Sequence, residues 1–338
     1  RYWHLNRNKR SLALDLKAPG GKQAFCDLVK KSDVVVSNFR PGVMSRLGIG
    51  YESVRKINPR IIWSESSGFG PAGPYRDRPS VDPIGQMISG LAGLNREPGK
   101  LPNLYGVPIA DFVTSMFVAQ GIMAALYSRE NSGLGQMVET SLLDCCIAAL
   151  AYVGAYYLNS GIQRGINDPQ FRGGASSGIF ETKDDYIYFS VLSPERQWPS
   201  FCKALEHEEL MQDARFATIS NRQEHGEELR SLVEGILRTR TTSEWVERLM
   251  KEDIPVSPIN SLAQVFSDPQ VRQGSMVSIT EYQGKQYKVI GNPMHMSEME
   301  HQAYNPPPTP GQHTEEILSQ ILGYPQQKIE ELRKAGAV

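Results

Sequence analysis

Carboxylates set beside proline- and glycine-rich loops are the groups in this sequence best suited to covalent chemistry. Asp111 follows Gly106-Val107-Pro108-Ile109-Ala110 and opens an apolar periodic run. An aspartate there caps a helix, accepting first-turn N–H groups and offsetting the helix dipole, and on sequence alone that reading is the stronger. The same placement keeps a carboxylate ionised, which suits a nucleophile acting on an activated acyl group. Asp82 is a second acid in those loops, and solvation at the surface is its simplest explanation.

Binding groups come next. Asn38-Phe39-Arg40-Pro41-Gly42 ends a strand-like run, and an amide, an aromatic face and a guanidinium together suit an adenine or a phosphate, with Lys17 and Arg46 able to add charge. A strand-ending turn with solvated charges accounts for the same residues, and spacing does not decide between the two. Gly68-Phe69-Gly70-Pro71-Ala72-Gly73 has the dinucleotide spacing, but Pro71, Pro74, Pro79 and Pro83 forbid the uninterrupted helix a pyrophosphate site needs, so a nicotinamide-dependent oxidoreductase is set aside. Gly173 and Gly174, in Gly-Gly-Ala-Ser-Ser-Gly, serve either as a flexible linker or as a loop whose N–H groups approach a substrate or cover a reactive intermediate.

These groups need elements to position them. Leu12 to Leu16 and Val34 to Phe39 read as strands separated by a helix with Phe25, Leu28 and Val29 at helical spacing; a second helix near 51–57 leads into a further strand, Ile-Ile-Trp-Ser-Glu-Ser-Ser. Alternation of this kind predicts a parallel sheet with ligands at the carboxyl ends of its strands. A helix is expected from Asp111 to about Arg129, closed by Asn-Ser-Gly-Leu-Gly, followed by a strand passing into an apolar helix through Tyr157. Beyond it, Ile179 to Val191 reads as a hairpin turning at Lys183, Asp184 and Asp185, and Thr241 with Glu244 has capping-box spacing. The expected organisation is α/β: a large parallel-sheet domain over 1–165, a smaller α+β domain over 172–298, and C-terminal helices over 311–338 that return to the large domain after a proline-rich linker.

Composition narrows the class. Lys plus Arg number 36 against 37 Asp plus Glu, which argues against nucleic acid or a membrane surface as the main partner. The four cysteines form no metal-ligand spacing and no disulfide framework, so no metal site is expected and a reducing, cytoplasmic compartment fits, or a mitochondrial or peroxisomal one in a eukaryote.

Taken in order, Leu5 to Lys17, Val34 to Gly42, Ser45 to Trp63, Ser67 to Tyr75, Gly106 to Phe112 and Met123 to Asp144 make the chain resemble the class III CoA-transferases over nearly its whole length. The resemblance implies a Rossmann-like large domain, a small domain and two ring-shaped chains interlocked as a homodimer. It implies an N-terminal strand-helix-strand unit ahead of the segment that starts here. It also implies a CoA-transferase moving coenzyme A from an acyl-CoA to a carboxylic acid, with an aspartyl-CoA thioester on Asp111 and no tightly bound cofactor. Leu14, Lys17, Asn38, Phe39 and Arg46 fall on CoA-contacting positions, Asp82 on the acidic residue near the active site, and Gly173 to Ser177 on the covering loop. The related acyl-CoA racemases carry His immediately before the equivalent of Asp82, where this chain has Val81, so transfer is expected over racemisation. A catalytically silent CoA-binding protein is the remaining alternative.

Overall fold

The computed structural model describes residues 2–96, 99–163, 176–191, 194–299 and 303–338. These form two compact units, one made of Arg1–Ala92, Asn103–Ala155 and Pro269–Val338, the other of Gly93–Pro102 and Tyr156–Asp268.

The first unit opens with α1 (Tyr2–Leu5) and α2 (Pro19–Val29), then β1 (Val34–Ser37), α3 (Val43–Arg46), α4 (Tyr51–Ile57) and β2 (Ile62–Ser67). After a long loop come α5 (Asp82–Ile88), α6 (Leu91–Leu94), α7 (Ile109–Ser132), β3 (Met137–Ser141), α8 (Leu142–Ala149) and α9 (Ala151–Ser160), of which α6 and α9 each begin in this unit and end in the other. The three strands pair in parallel in the order β1-β2-β3, with Val34 opposite Ile62 and Trp63 opposite Met137. Ile62 and Trp63 on the central strand are fully buried, as a parallel strand covered on both faces requires. A mixed α/β fold with a parallel sheet is therefore what the alternation of elements predicted.

Leu12 to Leu16 is not a strand. Its polar backbone is taken by the C-terminal segment instead: Ala13 N–H donates to Thr314 Oγ1 at 3.0 Å, Asp15 N–H to the Ala337 carbonyl at 2.9 Å, and His313 N–H to the Ser11 carbonyl at 2.9 Å. Leu12 and Leu14 pack on Ala24, Leu318, Ile329 and Leu332, so the period-2 pattern is real but serves an extended chain beside a helical cluster. The tail comprises a short helical turn at Thr314–Glu316, a π-turn over Ile317–Ile321 and a helix over Gln326–Lys334.

Helix α7 begins two residues before Asp111 and ends where Gly133, at φ 72°, supplies the left-handed residue whose N–H reaches back to the Arg129 carbonyl. Its inner side carries Ala110, Thr114, Ala125 and Arg129. Gly121 lets it lie close to β3, since a Cβ there would meet Val138 Cγ1 at 2.7 Å. Arg129 is buried and donates to the Arg60 carbonyl and to Asp33 Oδ1, tying the far end of α7 to the start of β1. By length and composition α7 is apolar enough to cross a membrane. The apolar helix expected through Tyr157 is divided at Leu150, with Ala151 at φ 46°, into α8 and α9.

The second unit holds the antiparallel sheet β4 (Ser177–Glu181), β5 (Tyr186–Ser190) and β6 (Val256–Pro258). The hairpin turns at Lys183 to Asp185 as expected, and the helix over Thr242–Lys251 carries the Thr241–Glu244 capping box. The core of this unit gathers Phe180, Phe189, Phe201, Leu229, Val233, Leu237 and Trp245. The hairpin over Val277–Tyr282 and Lys285–Ile290 falls in the first unit, whereas the sequence reading carried the small domain on to 298. Aromatic packing accounts for it: Trp3 stacks on Tyr287 at 4.4 Å and meets Tyr282 edge-on at 5.0 Å.

Candidate active site

A helix beginning after proline has a capping problem, because Pro108 at the N-cap has no side chain that accepts hydrogen bonds. Asp82, the first residue of α5, solves it from another segment. Its Oδ1 accepts the N–H groups of Ala110 at 2.8 Å and Asp111 at 3.2 Å, and its Oδ2 accepts from Gln86 Nε2 at 2.7 Å. Asp82 is 9% exposed, so the surface-solvated reading of this residue is corrected. Asp111 stands at the third helical position rather than at the N-cap, and it is the Asp82 carboxylate that accepts the first-turn N–H groups of Ala110 and Asp111.

Gln86 extends this arrangement. It is 1% exposed; Oε1 accepts Tyr105 N–H at 3.0 Å and Nε2 lies 3.4 Å from the Val107 carbonyl. One buried amide thus joins the capping carboxylate to the segment that delivers α7. Gly85, one residue earlier, lets α5 approach: a Cβ there would stand 3.0 Å from Ala110 Cβ and 3.4 Å from Leu142 Cβ. Asp111 remains exposed on the first turn, where the helix dipole favours a carboxylate. Two thiols lie close by, Cys145 and Cys146, both buried. Burial pushes both thiols up, so they stay protonated and are poor nucleophiles.

The carboxyl end of β1 is built differently. Asn38 and Phe39 follow the strand directly, Asn38 Nδ2 making a 3.4 Å bond to the Ser66 carbonyl and Phe39 being 55% exposed. Arg46 ends α3, which starts after Gly42 at φ 77°. A Cβ on Gly42 would lie 3.3 Å from Arg46 Nη1 and 3.6 Å from Arg76 Nη2, so two guanidinium groups converge on this turn. The glycine run 68–73 opens no helix and forms turns, in keeping with the rejection of a dinucleotide site.

Against known proteins, residues 2–314 match the family described as CoA-transferase family III. The chain is 36% identical to an acyl-CoA transferase of Fusarium pseudograminearum, over 94% of this chain and 70% of that protein. It belongs to CoA-transferase family III. The human succinyl-CoA:glutarate CoA-transferase is 32% identical, over 100% of this chain and 77% of its own length. The formyl-CoA:oxalate CoA-transferase of Bradyrhizobium diazoefficiens is 33% identical, over 99% of this chain and 83% of its own length. Among solved structures, a CAIB/BAIF family protein from Brucella suis superposes with a TM-score of 0.83 at 30% identity, covering 95% of this chain and 83% of that one.

In this family III CoA-transferase the structure brings Asp82 to Asp111 and gathers Asn38, Phe39 and Arg46 at one strand end. Leu14 and Lys17 stand on the extended segment before α2; Leu14 packs into the C-terminal cluster and Lys17 is exposed, its N–H bonded to Asp15 Oδ1 at 2.8 Å. Gly173 and Gly174 lie outside the described residues. Sequence reasoning passed over Gln86 and Arg76. Gln86 carried a usable signal, the i,i+4 spacing from Asp82 that places both on one helix face; Arg76 carried none beyond sitting among prolines.

Proposed function

We propose that this enzyme moves coenzyme A from an acyl-CoA thioester to a free carboxylate through covalent intermediates on Asp111. The observation that carries the reading is an exposed carboxylate on the first turn of α7 whose backbone is held from behind by a buried cap, with buried, protonated thiols as the neighbouring alternatives. Asp111 attacks the thioester carbonyl, the C–S bond breaks, and CoA leaves as thiolate with a mixed anhydride on the aspartate. The thiolate then attacks the aspartyl carbonyl, releasing the donor acid and leaving an aspartyl-CoA thioester. An acceptor carboxylate displaces the thiolate once more, and the thiolate attacks the acceptor's acyl carbon to give the new thioester and free Asp111. Bonds and charges balance without an oxidant or reductant.

Asn38, Phe39, Arg46, Leu14 and Lys17 are proposed to hold the coenzyme A moiety, the cationic groups facing its phosphates and Phe39 its adenine. The relatives act on succinyl-CoA with glutarate and on formyl-CoA with oxalate, which makes these pairs the first to assay. Val81, in place of a histidine, favours transfer over racemisation. The test is intact-mass and peptide mapping of the protein incubated with succinyl-CoA or formyl-CoA. An acyl or CoA adduct on Asp111 is expected; turnover with no adduct there, or an adduct confined to another residue, would sink the mechanism.

The assembly we propose is an interlocked homodimer. Phe112, Met116, Met123 and Tyr127 leave an apolar stripe along α7, each more than half exposed, which a second copy would cover. Tagged and untagged dimers should then exchange only under partly denaturing conditions, and rapid exchange at low concentration would remove the interlocked arrangement.

A further inference from the structure

We propose that Asp82 and Gln86 act together as positioning residues, a carboxylate–amide clamp that sets the place of Asp111 without touching the substrate. The inference rests on Asp111 being the nucleophile. The hydrogen bonds point to the role. Oδ1 of Asp82 receives two N–H groups of α7, and Oδ2 receives the Gln86 amide. The other end of that amide accepts Tyr105 N–H. A carboxylate that is 9% exposed and has three of its roughly four lone-pair sites taken by backbone and side-chain donors is built to hold those donors in place rather than to pass a proton. Its effect on chemistry runs through geometry. Both amides it holds belong to the first turn of α7, and one is the N–H of Asp111 itself, so loosening the clamp displaces the nucleophile's own Cα. Misplacement on the order of 1 Å costs up to about 100-fold in rate.

The donor and acceptor pattern makes the clamp testable by exchange. In Asp82→Asn a new NH2 faces either Gln86 Nε2 or the α7 amides; if Gln86 turns over to accept it, its NH2 faces Tyr105 N–H. One donor-to-donor clash survives every choice. In Gln86→Glu two carboxylates face each other across the 2.7 Å contact, a clash that protonation relieves. In the double variant the side-chain oxygen of the new amide at position 82 accepts from Ala110 and Asp111, and its NH2 donates to the new carboxylate at position 86. The other oxygen of that carboxylate accepts Tyr105 N–H. The bonds to Ala110, Asp111 and Tyr105 and the contact between positions 82 and 86 are restored with the charge moved from position 82 to position 86; the long 3.4 Å bond from position 86 to the Val107 carbonyl is the one lost.

The experiment is a double-mutant cycle on the full chain, read in two ways: turnover of succinyl-CoA with glutarate and of formyl-CoA with oxalate, and hydrogen exchange at the amides of Ala110 and Asp111. Each single variant should lose about tenfold or more in kcat with KM for the acyl-CoA little changed, and should expose both amides to faster exchange. Gln86→Glu should recover as pH falls, because the new carboxyl, once protonated, again donates to Asp82. The double variant should regain amide protection and most of the turnover. A double variant that regains protection but stays inactive would show that a carboxylate at 82 is needed for the chemistry, overturning the positioning role. One that regains neither, or does not fold, would overturn the clamp. If the single variants fail to fold, recovery of fold and turnover in the double variant still decides. Peptide mapping of the wild-type protein keeps the two ideas apart: absence of an adduct on Asp111 refutes the nucleophile, while the amide-exchange cycle reads the clamp whether or not turnover is found.

Discussion

The amino end of α7 and the carboxyl end of β1 both carry residues suited to a CoA-transferase, and they are built on opposite principles. At α7 the polar groups behind Asp111 are buried and paired: Asp82 with two amides, Gln86 with Asp82 and Tyr105, while Gly85 lies in close contact with Ala110. At β1 the groups are exposed, with Phe39, Arg46 and Arg76 presented to solvent around a left-handed Gly42. The difference fits the roles proposed for the two regions. A nucleophile gains from being held in one place before the substrate arrives. A phosphate and adenine site works through long, exposed side chains whose contacts are made equally in ground and transition states, which governs binding more than rate.

The largest effect should come from Asp111→Ala, which removes the covalent route while leaving the Asp82 cap on the Ala110 and position-111 amides intact. We expect turnover to fall by roughly 1,000-fold or more, with thermal unfolding close to wild type. Near-normal turnover would mean that the held region at α7 does not carry the nucleophile at all.

Gly85→Ala presses on the held region without touching any polar group. The added methyl would stand 3.0 Å from Ala110 Cβ, pushing on the turn that carries Asp111. Helix propensity favours alanine over glycine by about 1 kcal/mol, which offsets the crowding, so stability should change little while kcat falls by about 10-fold to 100-fold. Unchanged kcat would mean that the amino end of α7 tolerates displacement and is not preorganised.

At the exposed region, Arg46→Ala and Lys17→Ala should raise KM for acyl-CoA by about tenfold each, as loss of a charge-assisted contact implies, with kcat nearly unchanged. A fall in kcat at constant KM would move these residues into the held class. Phe39→Ala should have the smallest effect, about fivefold in KM, because an exposed ring contributes stacking and little else. Binding of desulfo- and dephospho-CoA analogues to the same variants separates ring stacking from phosphate contact: Phe39→Ala should weaken every adenine-bearing analogue alike, and Arg46→Ala only those retaining the phosphate.

The range of the interactions decides how much of each region could be read from the chain. The alternation of apolar strands and periodic helices, the hairpin at Lys183 to Asp185, the Thr241 capping box and the end of α7 at Gly133 all depend on residues within a few positions of one another, so local pattern suffices. Leu12 to Leu16 had the alternation of a strand, yet its N–H groups at Ala13 and Asp15 donate to the Thr314 hydroxyl and the Ala337 carbonyl, some 300 residues away, and no local rule distinguishes that pairing from a sheet. The hairpin at Val277–Tyr282 was assigned to the other unit through the same limitation, since Trp3 is what packs against it.

The available chemistry was written in the chain: an aspartate at the mouth of a long helix, an amide, aromatic and guanidinium after a strand, and an order of motifs specific enough to mark CoA-transferase family III. The division of labour between the two aspartates was not, and it came from folding. Asp82 and Asp111 are 29 residues apart by their numbers, and each reads locally as a loop or capping acid. Folding α5 against α7 buries one carboxylate on the other's backbone and leaves the second exposed, and that assignment depends on a contact between helices which no spacing within either one encodes.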